Sequence, residues 1–136
     1  MQVVNQVTPT GERLQEFFGG GEDGAFVMVN LLKFRDRAEY DDGDRGLSGA
    51  EAFARYAGEV FKLVNNLGGR AVYSGAVTGL LLGEVEDNWD MISLVEYPSG
   101  QAFRDMFMSP AYQEIAIHRK AGLEGQLNIR TKALSD

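Results

Sequence analysis

The chain has 136 residues, 44% of them apolar and 24% charged, which suits one globular domain with a single core and excludes disordered and fibrous classes. Twenty acidic residues against thirteen basic ones leave a formal charge of -7, a balance that repels phosphate backbones and anionic headgroups and argues against nucleic acid or a membrane as partner. There is no cysteine, which excludes disulfides and thiolate chemistry and fits a reducing compartment.

The start, Met1-Gln2-Val3-Val4-Asn5, lacks the basic and apolar regions of a secretory signal, and no apolar run has the length of a bilayer span, so a cytoplasmic location is expected. Thr8-Pro9-Thr10 followed by Leu14, Phe17 and Phe18 predicts a short hydroxyl-capped helix, stopped by Gly19-Gly20-Gly21. Phe26 to Phe34 is a nearly unbroken apolar run rich in β-formers and predicts a central strand covered on both faces. Arg35 to Gly46 is dense in charge, glycine and aspartate and reads as a surface loop. Asp41, Asp42 and Asp44 within it are weighed as a divalent-cation site, but their spacing lacks the glycine and distal glutamate of a calcium loop, so no metal is expected.

Ser48-Gly49-Ala50-Glu51 has capping-box spacing, and Phe53, Tyr56, Ala57, Val60, Val64 and Leu67 follow at helical period until Gly68-Gly69. Arg70 to Leu82 predicts a second strand with bends or bulges at Gly75 and Gly79, paired as a hairpin across Gly83 to Asp87 with a third strand over Asn88 to Tyr97. Pro98-Ser99-Gly100 caps a helix carrying Phe103, Met106 and Phe107. Ser109-Pro110 interrupts it and launches another over Ala111 to Ala121, with Gly122 placed as its stop. Gln126 to Thr131 supplies a last strand, and Lys132 to Asp136 a tail.

The order strand, helix, strand, strand, helix, strand is the split βαβ pattern: a ferredoxin-like α+β fold, βαββαβ, with a four-stranded antiparallel sheet carrying its helices on one face. Residues 1–24 form an extension with the short extra helix, and residues 25–136 the ferredoxin-like domain. The uncovered, apolar second face calls for a twofold partner, so a homodimer is expected.

Asn30-Leu31-Leu32-Lys33-Phe34, Gly68-Gly69-Arg70, Trp89-Asp90, Glu96-Tyr97-Pro98-Ser99, Ser109-Pro110-Ala111-Tyr112-Gln113 and His118-Arg119-Lys120-Ala121-Gly122-Leu123 stand in an order and spacing that resemble the DUF1330 family, from about Phe26 to Leu127. The resemblance implies a dimeric α+β barrel in which two ferredoxin-like sheets pack face to face. Of activity it implies little: the family's function is unknown, and similar barrels include cofactor-free monooxygenases, isomerases, dehalogenating or decarboxylating enzymes and haem-handling proteins. The sequence departs from the family pattern in its N-terminal helix, its charged loop, and Tyr73-Ser74-Gly75 where an arginine often stands, so no role for that arginine carries over.

His118 is the sole histidine and sits beside Arg119 on the last predicted helix. The pair reads either as a catalytic acid or base with an anion-orienting partner, or as cations meeting the helix C-terminal dipole. Use of His118 as a haem ligand is also weighed, but nothing else in the chain supports it and no cofactor is expected. Asn30 interrupts an apolar strand on the face of Met28 and Leu32, and is either a hydrogen-bond node or a polar group in a ligand site. Trp89, Tyr56, Tyr73 and Tyr112 are candidate pocket walls with packing as the alternative, and Arg70 a candidate carboxylate binder or a solvated turn residue.

No nucleophile elbow, phosphate loop, dinucleotide fingerprint or zinc-protease motif is present. Two readings follow. One is a cofactor-independent enzyme, monooxygenase-like or isomerase-like, acting on a small apolar or carboxylate metabolite between sheet and helices, with His118 and Arg119 catalytic and Asn30, Tyr56, Arg70, Tyr73, Trp89 and Tyr112 binding substrate. The other is a non-catalytic dimeric module for a metabolite or protein partner.

Overall fold

A computed structural model describes residues 4–19, 24–86 and 88–134. Met1 to Val3, Gly20 and Gly21 of the proposed helix stop, Asp87 at the end of the hairpin loop and the last two tail residues lie outside the described residues. The elements run α1 (Gly11–Gly19), β1 (Phe26–Phe34), α2 (Gly49–Asn66), β2 (Arg70–Ala76), β3 (Met91–Tyr97), α3 (Gly100–Phe107), α4 (Pro110–Gly122) and β4 (Leu123–Thr131).

The strands form one antiparallel sheet in the order β2-β3-β1-β4, which after α1 is the ferredoxin-like arrangement. β1 lies between β3 and β4, with both of its edges paired, and Phe26, Met28 and Leu32 on its helix-bearing face are buried. Phe26, Met28, Val95 and Tyr97 pack under Val60 and Val64 of α2, Met106 of α3 and Tyr112 of α4 as the main core. Leu32, Phe53 and Leu123 continue it toward the other end of the sheet.

Local chemistry sets the helix boundaries. Ser48 Oγ accepts from the Glu51 amide at 3.1 Å while the Glu51 carboxylate accepts from the Ser48 amide at 2.9 Å, a complete capping box. These bonds hold the Glu51 carboxyl below its ordinary range. Gly68, at φ 93°, turns the chain out of α2 in a conformation that side chains with a Cβ disfavour. Ser99 caps α3, and Ser109 with Pro110 restarts the chain as α4.

Four strand expectations are corrected. β2 ends at Ala76, not Leu82, and β3 begins at Met91, not Asn88. The Asp90 amide donates to the Leu32 carbonyl at 2.8 Å, its carbonyl accepts from the Val77 amide at 3.0 Å, and its carboxylate accepts from the Phe34 amide at 2.8 Å and lies 3.7 Å from Lys33 Nζ, so the hairpin pairing reaches Val77 and Asp90 and goes no further among the described residues. The bulge falls between Ala71 and Tyr73, not at a glycine. Gly75 instead makes room for the Tyr73 ring, whose hydroxyl would stand 2.5 Å from a Cβ there. β4 starts at Leu123, directly after α4, three residues earlier than the alternation suggested.

The N-terminal segment packs against the rest of the fold. Gln6 bridges antiparallel to Gln126 on the edge strand β4, which covers part of an otherwise open edge. Phe17 of α1 meets Phe26 and Phe103 edge-on, and Arg130 of β4 stacks 4.1 Å over the Phe17 ring while donating to the Phe17 carbonyl at 3.1 Å.

The face of the sheet turned away from the helices carries two apolar rows. Register aligns Ile129, Val29, Leu94 and Tyr73 across all four strands, and next to them Leu127, Leu31, Ile92 and Gly75. Tyr73 is 57% exposed and Ile129 48%. No helix among the described residues is long and apolar enough to cross a membrane.

Candidate functional site

Asn30 is the point from which the site is built. Strand alternation turns it to the helix-bearing face with Met28 and Leu32, where its amide donates to the Ser93 carbonyl at 3.2 Å and its Oδ1 accepts from Gln126 Nε2 at 3.2 Å. Gln126 and Asn128 on β4 are register neighbours on the same face, joined by a 2.7 Å bond from Gln126 Nε2 to Asn128 Oδ1. Arg119 of α4 completes the chain from above: Nη1 donates to Gln126 Oε1 at 2.9 Å and to the Val7 carbonyl at 2.7 Å. A guanidinium, two asparagine amides and a glutamine amide thus form one connected polar network, half-buried at Asn30, Gln126 and Arg119 and exposed at Asn128.

This network lines a cavity of about 370 Å³ between the sheet, α3, α4 and the N-terminal segment, a size that holds a small metabolite. Tyr56 and Tyr112 close one side, their hydroxyls 3.1 Å apart. Burial, and then the neighbouring Tyr112, pushes the Tyr56 phenol well above its ordinary value, and burial raises Tyr97 likewise. Both lining groups are therefore neutral hydroxyls at physiological pH. The charged side chains on the cavity wall are Arg119 and Arg13, with no carboxylate among the described lining residues. Arg119 Nε is buried with no hydrogen-bond partner, so the guanidinium retains an unmet donor.

A second cavity of about 430 Å³ adjoins the first and shares Met28, Phe103, Phe107 and Asn128 with it. It lies beneath α1, whose Leu14, Phe17 and Phe18 form its outer wall, and its charged lining residues are Arg13, Arg130 and Lys132.

The sequence-derived candidates divide. Asn30, Tyr56, Tyr112 and Arg119 meet at the first cavity. His118 lines neither of the two cavities; its Nδ1 lies 2.7 Å from the Tyr40 hydroxyl in the charged loop, with the rings edge-to-face. Burial, then Arg55 and Arg45, holds the His118 imidazole below its ordinary pKa. Consecutive residues on a helix are about 100° apart, and on α4 the two side chains diverge, His118 to Tyr40 and Arg119 to Val7 and Gln126. Arg70 pairs with Glu96 at 2.7 Å, and Tyr73 stands on the open face of the sheet. Trp89 is half-buried in the loop before β3. None of these three reaches the network. Asp42 and Asp44 are engaged by Arg45 and Arg37, which lower their carboxyl pKa values, and no group of three metal-ligating side chains occurs among the described residues.

Gln126, Asn128, Arg13 and the Val7 carbonyl were not anticipated. Gln126 and Asn128 had a legible signal, since they alternate with Leu127 and Ile129 and so had to share a face. Arg13 and Val7 had none, because the N-terminal segment reaches the sheet only through tertiary packing.

A family model described as a domain of unknown function, DUF1330, matches residues 46–132. A crystal structure of a protein of unknown function from Rhodopseudomonas palustris superposes with a TM-score of 0.89 at 34% identity, covering 98% of this chain and 100% of that one. The methylated form of that protein superposes at 0.90 with 36% identity over 98% of each chain. This coverage takes in the N-terminal segment as well as the sheet. A Dabb family protein with a ferredoxin-like fold from Mesorhizobium loti, at 12% identity, 82% of this chain, 99% of that one and a TM-score of 0.50, shares the fold alone. No curated protein matches the chain.

Proposed function

We propose the following for a chain that belongs to the DUF1330 family: each protomer of a homodimer binds a small carboxylate with an apolar body in the cavity between the helix-bearing sheet face and the N-terminal segment. The observation that carries this reading is the Arg119–Gln126–Asn30 network, a guanidinium backed by side-chain amides and opening on an apolar wall with no opposing carboxylate among the described lining residues. In a protein of formal charge -7, a cavity whose charged lining residues are both arginines selects for an anion, and the arginine fork matches a carboxylate's two oxygens. Tyr56, kept neutral by burial, and the Tyr112 hydroxyl 3.1 Å from it supply hydroxyl groups.

Turnover of the bound carboxylate, of the monooxygenase or isomerase type, is the second reading. The Tyr56–Tyr112 hydroxyl pair favours it, since two hydroxyl groups beside the arginine suit an oxygen that gains negative charge during reaction. His118 has no part in either reading, because it is bound to Tyr40 away from the cavity.

The homodimer rests on the two apolar rows of the outer sheet face, which a second copy would bury sheet against sheet.

Calorimetric titration with butanoate and benzoate tests the binding reading. Arg119→Gln is expected to weaken binding about 10- to 100-fold through loss of a charge-assisted hydrogen bond, while His118→Ala leaves it within about twofold, on the order of an uninvolved surface site. Equal affinity of wild type and Arg119→Gln for both carboxylates would overturn it.

A further inference from the structure

The two cavities differ in chemistry as much as they adjoin in space. The first holds the polar network and the tyrosine hydroxyls; the second, across the shared walls of Met28, Phe103 and Phe107, is faced by Phe17 and Phe18 of α1. We infer that the ligand is an elongated amphipathic carboxylate, with its head at Arg119 and an alkyl or aryl tail that runs under α1 into the second cavity. The inference rests on the carboxylate reading above and adds the class of ligand.

Three observations support the tail. At about 370 and 430 Å³, either cavity alone accommodates a small ligand, and the residues that line both, Pro9, Arg13, Met28, Phe103, Phe107 and Asn128, set the two side by side. α1 has an apolar face, yet none of its nine residues is fully buried; Leu14, Phe17 and Phe18 are each half-buried over the cavity. A helix this short is not stable alone and depends on the surface that it covers. An apolar tail would complete that surface. At the far end Arg130 holds the Phe17 ring and carbonyl and so anchors the roof of the chamber.

The test is a chain-length series on the full protein, read by calorimetry: butanoate, hexanoate, octanoate, octan-1-ol and octanedioate. Affinity is expected to rise roughly threefold for each methylene from butanoate to octanoate, as for a buried methylene. Octan-1-ol should bind far more weakly than octanoate, and Phe18→Ala should erase most of the gain with length while leaving butanoate unchanged. Octanoate, but not butanoate, should protect the α1 amides from hydrogen exchange. If the short acids bind through Arg119 and length adds nothing, or if octanedioate binds as tightly as octanoate, the amphipathic assignment fails while the carboxylate reading stands. If no acid of any length binds, both fail. The wild-type series decides the matter even if Phe18→Ala does not fold.

Discussion

His118 and Arg119 are consecutive on α4 yet work on different sides of it: the histidine Nδ1 lies 2.7 Å from the Tyr40 hydroxyl, and the arginine Nη1 donates across 2.7 Å to the Val7 carbonyl. One residue thereby fastens the charged loop to the helix and the next fastens the N-terminal segment over the cavity. α4 is the hub that two otherwise separate stretches of chain are tied to.

The imidazole of His118 should titrate below the ordinary value of about 6.5, because burial and then the charges of Arg55 and Arg45 disfavour its cationic form. The Tyr40 hydroxyl lies 2.7 Å from its Nδ1. With the folded-state pKa below the unfolded one, the unfolded chain binds more protons. The stabilising contribution is present above about pH 6.5 and is lost as pH falls through the folded-state value. Because the chain has one histidine, its NMR titration needs no assignment. A midpoint at or above the ordinary value would show that the packing against Tyr40 and the arginines is not as described.

Tyr56 and Tyr112 share a hydroxyl contact of 3.1 Å at the cavity wall. Replacing either by phenylalanine leaves the other hydroxyl with one partner fewer, so each single change is expected to cost about 1 kcal/mol of stability, and the double change less than the sum. A double-mutant cycle by urea denaturation measures the coupling. Strictly additive losses would mean that the two hydroxyls do not interact.

Gly122 ends α4 where it crosses the start of α2, and a Cβ on it would stand 2.5 Å from the Gly49 carbonyl oxygen and 3.0 Å from the Phe53 amide nitrogen. Arg35 also donates its amide to the Gly122 carbonyl at 2.8 Å, so the backbone has little room to retreat. Gly122→Ala is therefore expected to destabilise the fold by about 1–3 kcal/mol, the usual cost of overpacking. An unchanged denaturation midpoint would refute the close approach.

Leu94 lies in the apolar row between Val29 and Tyr73 on the outer sheet face. If a second copy covers that face, Leu94→Glu places an unpaired charge in the interface and should convert the species to single protomers. Sedimentation equilibrium reads the outcome directly. A wild-type mass of one protomer, or a Leu94→Glu variant that keeps the wild-type dimer mass, would remove the case for this face.

Most elements were legible because their signals are local. The capping box at Ser48, the helix restart at Ser109-Pro110 and the apolar period of β1 each depend on residues within a few positions of one another. The hairpin bounds were misread for the opposite reason. Asp90, just before β3, bonds to Leu32 and Phe34, more than fifty residues away, as well as to Val77 across the hairpin, and nothing within the hairpin's own sequence shows the first two contacts. Among the candidate residues, Asn30 was found because a polar amide within an apolar run is conspicuous, and its partner Gln126 was passed over because a polar residue near a strand end is ordinary.

The sequence by itself determined the ferredoxin-like order of elements, the family and the polar Asn30 within an apolar strand, since alternation and capping are properties of neighbouring positions. Tertiary structure alone decided which polar residues share a cavity. It turned His118 to Tyr40 and Arg119 to Gln126, and laid Val7 and α1 across the opening. The physical reason is that a side chain's direction follows from its own element, whereas its surroundings follow from how distant elements pack, and no local pattern encodes that packing.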